Sequence, residues 1–241
     1  MVRFVRYSAL VGGIGILLGP VLYRVFDASL LLALGMLFLG TMALVLSAIG
    51  ALGAVLLGRG VSFDWQTLVV LGAGLCIGLL PVNFVVSAMN APAIHDVTTD
   101  FEDPPAFVRA RILNSPGRTD YEGEEVASQQ RRAYPEVQPL MFSLPVEDAF
   151  EGALQVARES GWELLGADVS SGMIEASDET FWFGFIDDVV IRIRAQGKGG
   201  RVDVRSLSRV GVGDGGTNAR RILAYLERLA DDYARRGRAG S

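Results

Sequence analysis

Side chains able to do chemistry gather in one stretch of this 241-residue chain, "RSLSRVGVGDGGTNARRI" at 205–222. It holds Arg205, Arg209, Asp214, Asn218 and Arg220, and Arg192 lies on the apolar-alternating run just before it. Guanidinium groups grip carboxylate or phosphate oxygens in bidentate pairs, so these residues predict a surface that holds an anion. The same stretch spells G-x-G-x-x-G at Gly211, Gly213 and Gly216. A dinucleotide site needs a parallel strand after the glycine-led helix and an acidic residue about 20 positions on to hold the ribose. Asp231 and Asp232 lie near that distance but fall within or at the end of the helix, and no strand is read after it. The glycines therefore read as a tight turn, with Asp214 or Thr217 capping the helix, and no dinucleotide is expected.

Catalytic groups are scarce. His95 is the single histidine, Cys76 the single cysteine, inside an apolar run, and Lys198 the single lysine, in a turn. Disulfide, zinc-cluster and Cys–His chemistry are excluded for a single chain. A serine triad would have to recruit His95 with Ser206 or Ser208, and no nucleophile elbow is present. Glu175 with Glu179, Asp187 with Asp188, and Asp214 are carboxylates that could do acid–base work, although a strand edge and a hairpin turn explain the first two pairs through solvation. Asp96, Asp100, Glu102 and Asp103 offer hard oxygen ligands close together, but not in the ordered spacing of a calcium loop. A solvated connection fits them better, and no metal or cofactor is expected.

The elements that must position these residues lie beyond Tyr134. "VQPLMFSL" reads as a strand and "PVEDAFEGALQVARESG" as an amphipathic helix, with Pro145 in its first turn and Gly161 stopping it. Four strand-like runs follow, "WELLGADV", "MIEASDETFWFGF", "DVVIRIRAQ" and "RVDVRSLSR", and then a helix from about 218 to 235. The order β-α-β-β-β-β-α predicts an α+β domain, an antiparallel sheet with helices on one face. With Asp187–Asp188 as a two-residue turn and "GKGG" as the next, Ile193 faces Val204 and Arg192 faces Arg205. One sheet face then carries Trp182, Ile191, Ile193, Val202 and Val204 as core. The other carries Phe181, Phe183, Arg192, Arg194, Asp203 and Arg205, either a cross-strand ladder of ion pairs or a binding surface.

The first 91 residues are a different material, charged only at Arg3, Arg6, Arg24, Asp27, Arg59 and Asp64. Of 22 basic and 27 acidic residues in the chain, 18 and 25 remain for the second part. That acidic balance argues against nucleic acid as a partner. Apolar runs at about 4–26, 29–57 and 67–89 reach the roughly 20 residues needed to cross a bilayer, so residues 1–90 predict a three-span anchor. Gly15 with Gly19, and Gly74 with Gly78, have the spacing that lets helices approach closely. Pro81 and Asn83 in the third run are expected to be accommodated by helix packing. No span carries a central charge, which argues against a transport path. Arg3, Arg6 and Arg59 on one side predict a cytoplasmic N-terminus and an extracytoplasmic domain. Residues 91–133, rich in Pro and charge, read as an extended polar connection, and 134–241 as the α+β domain.

"HDVTTDFEDPP", "YPEVQPL", "GWELLGAD", "IEASDETFWFGFIDDVVIRIR" and "VDVRSLSRVGVGDGGTNARRI" resemble, in order, family 1499 of the domains of unknown function. Its R-S-x-S-R-x-G-x-x-D-x-G-x-N pattern is met at Arg205, Ser206, Ser208, Arg209, Gly211, Asp214, Gly216 and Asn218, and Gly213 falls at a free position. The resemblance covers about 92–230 and excludes the anchor. It implies a bacterial or plastid-type, often membrane-attached protein, and brings no established reaction or ligand. The expected function is therefore a non-enzymatic envelope protein whose external domain binds an anionic small molecule or a protein partner, or organises the envelope. The alternative is a membrane-associated hydrolase or transferase on envelope lipids or glycans, using Asp187, Asp188 or Asp214.

Overall fold

The computed structural model describes residues 1–26, 28–57, 63–79, 82, 86, 89–113 and 119–239. The chain forms two compact units. The first comprises residues 1–86 together with the short segment 181–184. Its helices are α1 (Val2–Phe26), α2 (Leu30–Leu56) and α3 (Trp65–Leu79). α1 and α2 are long and apolar enough to cross a membrane. α3 is described over 15 residues, short of the span expected at 67–89, and Pro81, Asn83 and Arg59 lie outside the described residues. Small residues set the α1–α2 contact. A Cβ added at Gly40 would lie 2.8 Å from the Gly12 carbonyl oxygen, and one at Gly19 would lie 2.6 Å from that of Ala33. Backbones this close leave no room for side chains, the packing expected of a small-x-x-x-small seam. The hydroxyl of Ser47, buried on α2, donates to the Val5 carbonyl of α1 at 2.7 Å, satisfying a polar group that apolar surroundings would otherwise penalise.

The second unit is an α+β domain. Its elements are β1 (Asp96–Thr98), α4 (Ala110–Leu113), α5 (Glu124–Ala133), β2 (Leu140–Phe142), α6 (Val146–Glu159), β3 (Glu163–Asp168), β4 (Met173–Glu179), β5 (Ile186–Gln196), β6 (Gly199–Ser208) and α7 (Thr217–Ala239). The strands form one antiparallel sheet in the order β1-β6-β5-β4-β3, with β2 also paired to β6. From β2 onward the order is the expected β-α-β-β-β-β-α. On one face Ile174, Ala176, Val189, Ile191, Ile193, Val202 and Val204 bury against Phe150 and Ala153 of α6 and Ile222, Tyr225 and Leu229 of α7. Alternation places these side chains on one side of the pleat, and removing them from water supplies the main drive for docking both helices.

The register differs from the expectation in two ways. Ile193 pairs with Val202 and Arg192 with Asp203, a slip of two residues from the turn at "GKGG" that leaves each side chain on its expected face. Asp187 and Asp188 are not a turn. They sit inside the sheet opposite Ser208 and Leu207, both buried, and the chain reverses at 180–185 instead. Phe181, Trp182 and Phe183 therefore belong to that reversal and not to either sheet face.

The stretch 91–133, read from composition as an extended polar connection, contributes β1, α4 and α5. β1 pairs with β6, and Phe107 and Ala110 pack with Val190 and Leu207 on the second face of the sheet. Glu175, buried on that face, anchors this cover by accepting the backbone N–H groups of Val108, Arg109 and Ala110.

Candidate functional site

The charged residues of the second face form three self-contained clusters. Arg192, Arg194 and Arg201 converge on Asp100, Asp103 and Asp203, three cations against three anions. Asp203 is fully buried and receives the Arg201 Nε at 2.6 Å. Burial alone would raise the Asp100 carboxyl, but backbone N–H donors of Asp103 and Glu102 and the guanidinium groups of Arg201 and Arg192 hold it below the ordinary aspartate range.

Arg205 is 2 % exposed and makes a two-point pair with buried Asp96, at 2.9 Å and 2.7 Å. Its remaining N–H groups donate to the carbonyls of Pro105 and Thr119. The guanidinium lies 5.0 Å from the ring centre of Phe107 and 5.4 Å from that of Tyr121. Burial, then the nearby Asp96 charge, push the Tyr121 hydroxyl up to about 12. Arg209 pairs in the same two-point way with buried Asp188, at 2.9 Å and 2.7 Å. A buried charge is tolerated only when paired and hydrogen-bonded, and each of these is.

The other sheet face ends beside the start of α7. Asp214 accepts the N–H groups of Gly216 and Asn218 at 2.8 Å and 2.7 Å, acting as the helix cap that the sequence predicts. Gly211 and Gly216 have φ of 97° and 77°, backbone that glycine adopts without strain. Burial raises the Asp214 carboxyl above its ordinary range against the pull of those two donors. Asn218 ties the motif together, accepting from the Ser206 hydroxyl and donating to Ser208 Oγ and the His95 carbonyl. The His95 carbonyl accepts the Ser208 N–H, and the His95 ring faces Glu122 at 3.6 Å. Arg221, absent from the sequence-predicted set, is the centre here. It donates to Asp178, Asp187, Ser206 and Asn218.

The six residues expected to form one anion surface are thus distributed. Arg192, Arg205 and Arg209 lie on one face of the sheet and each is met by aspartate. Asp214 and Asn218 serve the α7 turn on the other side. Arg220, exposed, donates to the Gly215 carbonyl and the Thr217 hydroxyl, at 3.0 Å and 3.2 Å, both neutral acceptors. It borders a groove of about 300 Å³ lined also by Ser160, Trp162, Arg221, Tyr225, Arg228 and Asp178, whose carboxylate accepts from Arg221 Nε. Among the described residues Arg228 donates to Ser160 Oγ alone, at 3.5 Å. Trp162 and Tyr225 stack at 5.0 Å and floor the groove. Arg221, Tyr225 and Arg228 recur at i, i+4 and i+7, a helical stripe visible in the sequence once α7 is recognised. Among the described residues no three His, Cys, Asp or Glu side chains converge as metal ligands, and the acidic stretch 96–103 is taken up by arginines.

These features define a class: an α+β domain built on an internal arginine–aspartate framework, following helices of membrane-spanning length. The chain belongs to the family described as protein of unknown function, DUF1499, whose model matches residues 96–229. That span runs from β1 into α7, so β1, α4 and α5 are part of the family domain. No curated protein matches the chain.

Proposed function

We propose that the chain is a membrane-anchored, non-enzymatic binding module that holds a phosphate-bearing ligand in the groove along α7. The observation that supports this is the division among its arginines. Those of the sheet and Arg221 are matched by carboxylates, whereas Arg220 and Arg228 beside the groove donate only to neutral oxygens among the described residues. A guanidinium whose partners are neutral keeps its attraction for an incoming anion. The aromatic floor suits the uncharged part of such a ligand. Asp187, Asp188 and Asp214 are each bound to an internal partner, which favours binding over acid–base catalysis. With three spans, the excess of arginine at the N-terminal side puts the domain outside the cytoplasm, in the cell envelope.

Native mass spectrometry of the full-length protein, extracted gently, tests this reading. The parent is expected to carry a phosphate-bearing adduct that the Arg220→Glu/Arg228→Glu variant lacks, and the adduct mass separates a phospholipid from a soluble phosphate ester. A parent without an adduct, or a variant that retains it, overturns the proposal.

A further inference from the structure

In the second unit, exposed arginines and exposed aliphatic side chains alternate at the short helix α4. Glu175, buried on the sheet, accepts the backbone N–H groups of Val108, Arg109 and Ala110, so the segment is pinned to the domain. Ala110 turns inward to the cluster with Phe107, Val190 and Leu207. Val108 and Ile112 are left 65 % and 83 % exposed. Arg109 and Arg111 lie between them along the chain and are exposed too. The Arg109 side chain crosses Gly166 of β3, where a Cβ would have no room, and it meets no acceptor among the described residues. Arg111 has Asp120 at 4.0 Å, with both side chains more than half exposed, a pairing that water weakens.

Exposed aliphatic side chains are ordinary when scattered, so the charge beside them decides. Beyond β1 in this unit, the other exposed large aliphatic residues described are Met141, Val169, Val210 and Val212. Met141 is opposite Arg201, which Asp203 holds, and Val169 follows the Asp168 carboxylate. Val210 and Val212 follow Arg209, which Asp188 holds. At α4 the accompanying cations keep their attraction for anions, in a chain that is acidic overall. We propose that α4 docks the domain on an anionic bilayer surface, with Val108 and Ile112 entering the headgroup layer and Arg109 and Arg111 meeting lipid phosphates. Charge complementarity selects this occupant, because aliphatic side chains flanked by arginine are what an anionic interface accepts. The guanidinium fork matches phosphate oxygens in pairs. The same chain carries two helices long and apolar enough to cross a membrane, so docking is an intramolecular step at high effective concentration. Two arginines near an anionic surface favour the docked state by about 30-fold.

The test uses the full-length chain with Cys76→Ser and one fluorophore, attached at Ile112→Cys or, as the reference, at Lys198→Cys in the turn between β5 and β6. Each protein is reconstituted in vesicles of phosphatidylcholine and phosphatidylglycerol, and circular dichroism checks that the labelled chains keep their fold. Lipid carrying a nitroxide on its acyl chain is expected to quench the label at 112 several-fold more than the label at 198, and iodide to quench it less. Adding Arg109→Glu/Arg111→Glu, at exposed positions outside the core, is expected to bring nitroxide quenching at 112 down to the level at 198. Equal nitroxide quenching at 112 and 198 without those substitutions overturns the proposal, as does quenching at 112 that survives them. Protection of 112 from both quenchers also overturns it and assigns the patch to a protein partner or a second copy.

Discussion

Replacing Arg205 by alanine separates a framework role from a ligand-holding one. In the folded chain Arg205 and Asp96 are 2 % and 1 % exposed, and both Asp96 oxygens are occupied by the guanidinium. Arg205→Ala leaves that carboxylate buried without its cation and also orphans the carbonyls of Pro105 and Thr119. Removing one partner of a buried pair costs about 3–5 kcal/mol. Against a total stability of roughly 5–15 kcal/mol this is a large share. For a chain of this size it lowers the unfolding midpoint by about 6–20 °C, at roughly 2–4 °C per kcal/mol. The assay is thermal unfolding of the full-length protein in micelles, followed by near-ultraviolet circular dichroism. Arg205→Met with Asp96→Leu removes both charges at similar volume and is expected to recover most of the loss. A midpoint for Arg205→Ala within about 2 °C of the parent, less than 1 kcal/mol on the same scale, refutes the framework role.

Three further outcomes follow from the same geometry. Gly40→Leu has no space at the α1–α2 seam, so spin labels on the two helices should move apart and the bundle lose about 1–3 kcal/mol, whereas an unchanged distance contradicts the seam. Asp214→Ala should lower denaturant stability by about 1 kcal/mol through the lost cap. Asp214→Asn should cost less, because burial already disfavours the charged form there; equal losses would count against that. The Asp100 carboxyl is held below its unfolded value of about 3.9, so its contribution is complete above that pH and is lost as pH falls through the lower folded value. Denaturation midpoints measured from about pH 5 to pH 2 should fall less steeply for Asp100→Asn than for the parent, and parallel curves would contradict the assignment.

Much of the domain was legible because period and parity survive small errors. The core face of β5 and β6 was read correctly from Ile191, Ile193, Val202 and Val204 although the pairing was misplaced, since a slip of two residues keeps every side chain on its face. Asp187–Asp188 was misread because adjacent carboxylates favour a solvated turn. Their place in the sheet depends on Arg221 and Arg209, which arrive from 34 and 21 positions away. β1 hid for the same reason: its Asp96 is buried only because Arg205 meets it. The arginines stand out in the sequence, but nothing local reveals that aspartates distant in sequence take most of them. The groove was missed because Ser160 and Trp162, at the end of α6, meet α7 only in the folded chain.

The account stands on the claim that the arginine–aspartate framework is internal and that anions are taken by Arg220 and Arg228. Its most direct test is the unfolding midpoint of the full-length protein and of Arg220→Glu/Arg228→Glu, each with and without inorganic pyrophosphate at low ionic strength. Because a ligand that binds only the folded state raises its stability, the account predicts equal midpoints without pyrophosphate and a rise with it for the parent alone. An equal rise in both proteins, or none in either, would contradict it.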